Sequence, residues 1–94
     1  MDIEIHHEAD EHGGRYTLLL DGDPVGELDH LDRDGVRTFT HTGVRRAHEG
    51  RGLAARLVRR ALDDARSEGV KVVGQCTYVQ HYLARHPADQ DLVA

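Results

Sequence analysis

Several residue types are scarce in this sequence, and each shortage excludes a class of protein. The single cysteine allows neither an internal disulfide nor a multi-cysteine zinc site, which makes a reducing compartment, the cytoplasm, the expected location. No apolar run approaches the roughly 20 residues that cross a bilayer. The first residues, MDIEIHHEADEHGG, have neither the basic start nor the apolar stretch of a secretion signal. We therefore expect neither export nor a membrane anchor.

The charges that are present are unevenly distributed. The 94 residues have a formal net charge of -5. A chain of this length is the size of one small domain, so a single domain over residues 1–94 is expected. Residues 1–34 are rich in acids, whereas residues 44–60 contain six arginines and one glutamate. Nucleic acids need a broad basic face, so we expect no nucleic acid as partner; a small polyanionic ligand suits the short cationic segment better.

The first half of the chain is predicted to form antiparallel strands. Ile3 and Ile5 alternate with charged residues, and strand-like runs follow over residues 16–20, 25–31 and 36–44. The pairs Asp21-Gly22 and Asp34-Gly35 separate these runs and are strong hairpin signals. Four consecutive strands are therefore expected.

The second half changes to a helical period after Gly52. Apolar residues recur with i, i+3, i+4 spacing at Ala54, Leu57, Val58, Ala61, Leu62 and Ala65, and Gly69 is placed to end the helix. A strand over residues 70–76 and a second helix that stops at His86-Pro87 follow. The order β-β-β-β-α-β-α predicts an α+β fold, an α/β layer with two helices on a mostly antiparallel sheet of about five strands.

A glycine-rich turn lies between the fourth strand and the first helix. The first backbone N–H groups of a helix have no helical partners and bind anions, and Gly50 and Gly52 remove side chains that would block a phosphate. The segment has neither the Gly-Lys-Ser/Thr end of a Walker A loop nor the third glycine of a Rossmann turn. An ordinary helix start stays open as the alternative. Three arginines are placed to add contacts to an anion: Arg45, Arg46 and Arg51.

The segment EGRGLAARLVRRALDDA resembles the coenzyme-A-binding motif of the GNAT acetyltransferases, in which a glycine-x-glycine turn begins the central helix. HTGV, YVQHYLARHP and DLV extend the similarity to the small, truncated GNAT-like family over residues 15–93. The resemblance implies the GNAT fold without its N-terminal helices, acetyl-CoA as the cofactor, and transfer of its acetyl group to an amine. It also implies that the pantetheine lies between the strand ending near Val44 and the strand ending near Cys76. The implied coenzyme contacts are Thr42, Gly43, Val44, Arg46, Glu49, Gly50, Arg51, Gly52, Leu53, Ala54 and Arg85.

The sequence departs from the common GNAT pattern at two points. Ala47 stands where these proteins commonly have glutamine or arginine, three residues before the first glycine of the turn, so Arg46 or further backbone contacts are expected to substitute. The two helices that usually wall off the acceptor pocket have no counterpart between Tyr16 and Val36. The resemblance therefore implies an open site for a large or exposed acceptor, such as a protein amine or a polyamine.

Three side chains are candidates for the chemistry of acetyl transfer, which needs a neutral amine, a polarised carbonyl and a proton for the departing thiolate. His41 lies near the end of the fourth strand, and an imidazole, with an ordinary pKa of about 6.5, suits a general base. Tyr82 matches the helix tyrosine with which GNAT enzymes protonate the thiolate. Cys76, where a helix dipole favours the thiolate, is either a covalent acetyl carrier or an apolar wall of the pocket. A structural histidine and a core tyrosine would produce the same patterns.

A metal site and two other functions are the alternatives to this hypothesis. His81 and His86 are five residues apart, which does not place two ligands on one helical face, so no metal is expected. A coenzyme-A-binding module without catalysis, and an acidic domain that binds a basic protein, remain alternatives. The identity of the acceptor and the oligomeric state stay open, and a monomer is compatible with the sequence.

Overall fold

Four strands precede two helices in the computed structural model, which describes residues 2–94. The strands are β1 (Ile3–Asp10), β2 (Gly13–Leu20), β3 (Asp23–Arg33), β4 (Val36–Val44) and β5 (Lys71–Gly74); the helices are α1 (Leu53–Glu68) and α2 (Thr77–Arg85); and short 3-10 turns cover Arg46–His48 and Pro87–Leu92. The predicted order is confirmed, as is the mostly antiparallel sheet of five strands. Neither helix, nor any other in the described part of the chain, has the length and apolar character needed to span a membrane.

The hairpins form where the Asp-Gly pairs predict them. Asp21 and Gly22 have φ values of 51° and 84°, and Asp34 and Gly35 have 53° and 77°. Positive φ at both central residues defines the tight turn whose twist matches that of the flanking strands, and aspartate and glycine tolerate it. Strands β1 to β4 therefore pair antiparallel with their sequence neighbours.

The fifth strand is shorter than the predicted 70–76, and this prediction is corrected at both ends. Val70 lies just beyond the cap of α1 and is held there, because its N–H donates to Ala65 O at 3.1 Å. At the other end, Cys76 is the N-terminal cap of α2. Parallel pairing of β4 and β5 extends only from Val36 to Phe39 on the β4 side. The two strands therefore separate beyond Phe39, which leaves the last part of β4 without a neighbour on that side.

The helices cover one face of the sheet. Helix α1 packs across β2, β3, β4 and β5, and α2 packs beside it on β5. The side of α1 turned to the sheet buries five of the six predicted apolar positions together with Leu53, while the sixth, Ala54, is half-buried. On its other side the predicted ion pairs from Arg59 to Asp63 and from Arg60 to Asp64 are present. The opposite face of the sheet, called the outer face below, carries exposed or half-buried side chains: Glu4, His6, Glu8, Arg15, Thr17, Glu27, Asp29 and Leu31.

A β-bulge at Thr40 changes which side chains of β4 reach each face. The register pairs Phe39 with His30 and His41 with Asp29, so Thr40 is an extra residue on β4. Directly opposed residues point to the same face of a sheet, which puts His41 on the outer face with Asp29.

A buried polar network ties the edge strand β1 to the rest of the sheet. The Nε2 atoms of His7 and His30 are 2.8 Å apart, and His30 Nδ1 lies 2.9 Å from Asp32 Oδ1. Arg37 binds the same aspartate and also Glu68 of α1. The Asp32 carboxylate accepts a hydrogen bond from His30 Nδ1–H. In a neutral His30 ring, Nε2 has no proton and accepts the hydrogen bond that His7 Nε2–H donates.

Protonation of His7 is expected to destabilise the fold. Burial first, and then the nearby His30 and Arg37, lower the pKa of His7 below its ordinary value. The unfolded chain then takes up the proton more readily, so the free energy of unfolding falls as pH drops from about 6.5 through the lower folded pKa. Urea denaturation at several pH values checks this.

His7→Gln keeps a donor for His30 without a titrating ring, and it should weaken the decline in stability. His6→Gln, on the outer face of the same strand, is the matched control. Equal pH slopes for His7→Gln and wild type would contradict the prediction.

Candidate active site

The turn before α1 presents free backbone donors at an open surface. Gly50 and Gly52 have φ values of 78° and 75°, and nothing lies within 4 Å of a Cβ placed at either position. Gly52 caps α1, and Arg56 N–H donates to its carbonyl at 3.2 Å. The N–H groups of residues 53–55 therefore have no helical acceptor and can bind an anion, helped by the helix dipole.

A cavity of about 360 Å³ lies between this turn, the end of β4 that has separated from β5, and the first turn of α2. Eight of the predicted coenzyme contacts line it: Thr42, Gly43, Val44, Glu49, Gly50, Gly52, Leu53 and Ala54. Its walls therefore come from the two segments that the resemblance relates to the coenzyme. Their roles as coenzyme contacts remain predictions.

Three predicted arginine contacts do not line this cavity. Arg46 and Arg51 are exposed on either side of the turn. Arg85 lines a neighbouring cavity of about 320 Å³, which shares the Tyr78 wall with the first. The two cavities are lined by consecutive residues of α1, Ala54 in the first and Ala55 in the second, and α2 gives the second a cationic side chain.

Two further residues of the cavity, Tyr78 and His48, were not predicted. Burial raises the pKa of Tyr78 above its ordinary value, so its hydroxyl is protonated at neutral pH and is a weaker acid than that of an exposed tyrosine. His48 Nδ1 is buried and lacks a hydrogen-bond partner among the residues that the structure describes. A buried polar atom without a partner is costly, and a polar group of a bound ligand would satisfy it. The open glycines and this nitrogen fit a coenzyme seated here.

Cys76 lies at the point where β4 and β5 separate. It is half-buried, it caps α2, and its Sγ is 3.3 Å from Thr42 Oγ1 across the gap. The backbone N–H groups of Gln75 and Cys76 both donate to the carbonyl of Phe39, the last residue of β4 that pairs with β5. The thiol is thereby held beside a residue that lines the cavity.

The other two candidates lie away from the cavity at the turn. Tyr82 is buried, stacks on His86 with ring centroids 3.8 Å apart, and lines the neighbouring cavity with Arg85. His41 is on the outer face, where its Nε2 lies 2.8 Å from Glu27 Oε2. The structure thus brings Cys76 close to the cavity, and it places His41 on the opposite side of β4.

Known proteins resemble this chain in sequence. The model of a family described as GCN5-related N-acetyl-transferase matches residues 15–92. Protein NATD1 of Homo sapiens is 40% identical over 90 residues, which cover 94% of this chain and 80% of the human protein. Protein NATD1 of Gallus gallus is also 40% identical, over 96% of this chain and 82% of its own length.

Solved structures share the fold at low sequence identity. A GCN5-like protein from Staphylococcus aureus superposes with a TM-score of 0.74 at 20% identity, over 97% of this chain and 87% of that one. A GNAT family acetyltransferase from Elizabethkingia anophelis, solved with acetyl-CoA bound, gives 0.72 at 14% identity, over 90% of this chain and 74% of that one. Together with the matched segment, these similarities show that the chain belongs to the GCN5-related N-acetyltransferase family.

Proposed function

We propose that this protein transfers the acetyl group of acetyl-CoA to an amine of a large or exposed cationic acceptor. The observation that carries the proposal is the cavity itself, which joins the free donors of the glycine turn to the gap between β4 and β5. Acetyl-CoA supplies the activated thioester. The chain holds it, orients it and moves the protons.

The glycine turn is proposed to hold the pyrophosphate. The free N–H groups of residues 53–55 point at an open space that the absence of side chains at Gly50 and Gly52 leaves accessible. His48 Nδ1 is available as a further polar contact. Arg85, in the neighbouring cavity, is placed to bind another anionic group of the coenzyme.

Tyrosine is proposed to supply the proton for the departing thiolate. Tyr82 is the donor that the resemblance implies, but Tyr78 is the tyrosine that lines the cavity at the turn. A phenol that stays protonated at neutral pH can act as a general acid. Tyr78 is therefore the donor favoured by position, and Tyr82 lies behind it in the neighbouring cavity.

The outer face favours a positively charged acceptor. Glu4 and Glu8 of β1 are exposed there, and Glu27 lies between them and the end of β4. Carboxylates attract an ammonium group or a lysine-rich segment before reaction. A polyamine and the lysine side chains of a protein are therefore the first acceptors to test.

An acetylation assay tests the proposal. The purified protein is incubated with acetyl-CoA and either spermidine or a lysine-rich peptide, and the products are identified by mass spectrometry. We expect an acetylated amine that accumulates with time and with protein concentration. Coenzyme binding without any acetylated product would contradict catalysis and favour the coenzyme-binding module.

A further inference from the structure

His41 and Glu27 form a close pair on the outer face, one residue along β4 from the cavity wall. His41 Nε2 and Glu27 Oε2 are 2.8 Å apart, and the two side chains are 52% and 34% exposed. The ring is thus open to solvent while one of its nitrogens is fixed. On the other side of the same strand, the next residue, Thr42, contacts Cys76 Sγ. The pair therefore stands on the outer side of β4, where β4 and β5 no longer pair, so an amine that enters the gap from the outer face would pass beside it.

Gly43 makes room for this pair. It lies two residues after His41 and directly opposite Glu27 in the β3–β4 register, so all three point to the outer face. A Cβ at this position would overlap the Glu27 carboxylate and lie 3.1 Å from His41 Nε2. The ring and the carboxylate thus occupy the space above a glycine, and any other residue there would push them apart.

The contact decides which nitrogen of the ring carries the proton. An ionised carboxylate only accepts hydrogen bonds, so Nε2 must donate its proton to Glu27. The neutral ring then has its lone pair on Nδ1. Among residues 2–94, Nδ1 makes no hydrogen bond, so this lone pair is available to a proton from outside.

We infer that Glu27 is a positioning residue for His41: its carboxylate holds the Nε2–H tautomer and leaves Nδ1 as the atom that takes the proton from the acceptor amine. This inference rests on the proposed function. Carboxylates that orient metal-ligating histidines fix the tautomer in the same way, and their removal costs about 10–100-fold in metal affinity or activity; we take that range as the expected scale here.

The proton transfers balance as follows. Nδ1 accepts one proton from the acceptor's ammonium group, and the resulting imidazolium keeps its Nε2–H bond to the Glu27 carboxylate. The freed amine lone pair forms the new C–N bond at the acetyl carbonyl carbon, while the C–S bond breaks. The nitrogen loses its second proton and the departing thiolate gains one, so the products are an amide and a thiol. Solvent then removes the first proton from Nδ1.

Two measurements on Glu27→Gln test the inference. A long-range nitrogen NMR spectrum reports the tautomer of each histidine ring. We expect the Nε2–H form for His41 in the wild type and a mixture of tautomers in Glu27→Gln, because an amide both donates and accepts. We also expect kcat to fall by about 10–100-fold, with the dissociation constant for acetyl-CoA unchanged in calorimetry.

The turn between β1 and β2 offers a matched control. His12 Nε2 and Glu11 Oε1 are 3.4 Å apart there, so Glu11→Gln removes another exposed histidine–carboxylate pair. Glu11→Gln should keep the wild-type kcat and the wild-type tautomer of His41. A general loss of structure would affect the two variants alike.

A double-mutant cycle separates positioning from a direct effect. If Glu27 acts through His41, Glu27→Gln should cost nothing further in a His41→Ala background. Equal losses in both backgrounds, or an unchanged His41 tautomer in Glu27→Gln, would overturn the inference. Absence of acetyl transfer by the wild type would instead reject the proposed function. The tautomer measurement would then still decide whether Glu27 fixes the nitrogen of His41 that carries the proton.

Discussion

Replacing Gly52 with glutamate is expected to weaken acetyl-CoA binding by about 100-fold, equivalent to ~2.7 kcal/mol. The side chain would enter the open space in front of the free N–H groups of α1, since nothing lies within 4 Å of a Cβ there. It would occupy the position proposed for the pyrophosphate, and its negative charge would repel the phosphates. Isothermal titration calorimetry of both proteins with acetyl-CoA and with coenzyme A measures the effect.

The other end of α1 provides the control. Gly69 has φ 73° and ψ 25°, close to the 75° and 15° of Gly52, and a Cβ there also meets nothing within 4 Å. Gly69→Glu therefore imposes the same backbone strain and the same charge on the same helix, away from the cavity. It should keep the wild-type affinity. Equal losses in the two variants would mean that strain or net charge, and not occupation of the turn, causes the effect.

Cys76→Ser is expected to reduce acetyl transfer by at least about 100-fold if the acetyl group passes through the thiol. The thiolate would attack the thioester carbonyl, the C–S bond to the coenzyme would break, and the amine would then displace the cysteine sulfur. A serine hydroxyl is a much weaker nucleophile at neutral pH without an adjacent base. Steady-state rates with a saturating amine acceptor measure the loss.

The covalent route has a second signature. Wild-type protein mixed with acetyl-CoA and no amine should gain one acetyl group in its intact mass, and Cys76→Ser should not. Thr42→Val is the matched control, because it removes the oxygen 3.3 Å from Sγ and leaves the thiol in place. Near-normal turnover by Cys76→Ser would contradict the covalent route and leave Cys76 as a wall of the site.

The order of elements could be predicted from the sequence because each boundary has a local cause. The Asp-Gly pairs fix two hairpins through their positive φ angles, and Gly69 ends α1 in the left-handed region. The predicted ends of β5 were wrong. Hydrogen bonds to residues distant in the sequence decide where this strand begins and ends. Gln75 and Cys76 both donate to Phe39 O, which an apolar run of residues cannot indicate.

The sequence predicts which segments form the candidate site, but not the face of the sheet or helix to which each side chain points. Eight of the coenzyme contacts that the resemblance implies line one cavity, and their role as contacts stays a prediction. The bulge at Thr40 could not be foreseen, because β-branched and aromatic residues favour a strand throughout 36–44 without showing where one residue is extra. That single insertion puts His41 on the outer face beside Glu27. Tyr78 was missed because its helical spacing also suits a core position, and whether it reaches the cavity depends on how α2 packs.

Titration of the wild-type protein with acetyl-CoA tests the central claim most directly, because every proposed role depends on the coenzyme occupying the cavity at the glycine turn. Saturable binding to one site, with a dissociation constant on the order of micromolar, is the predicted result. Absence of measurable heat and of any stabilisation at millimolar acetyl-CoA would contradict the account and favour an acidic protein-interaction domain.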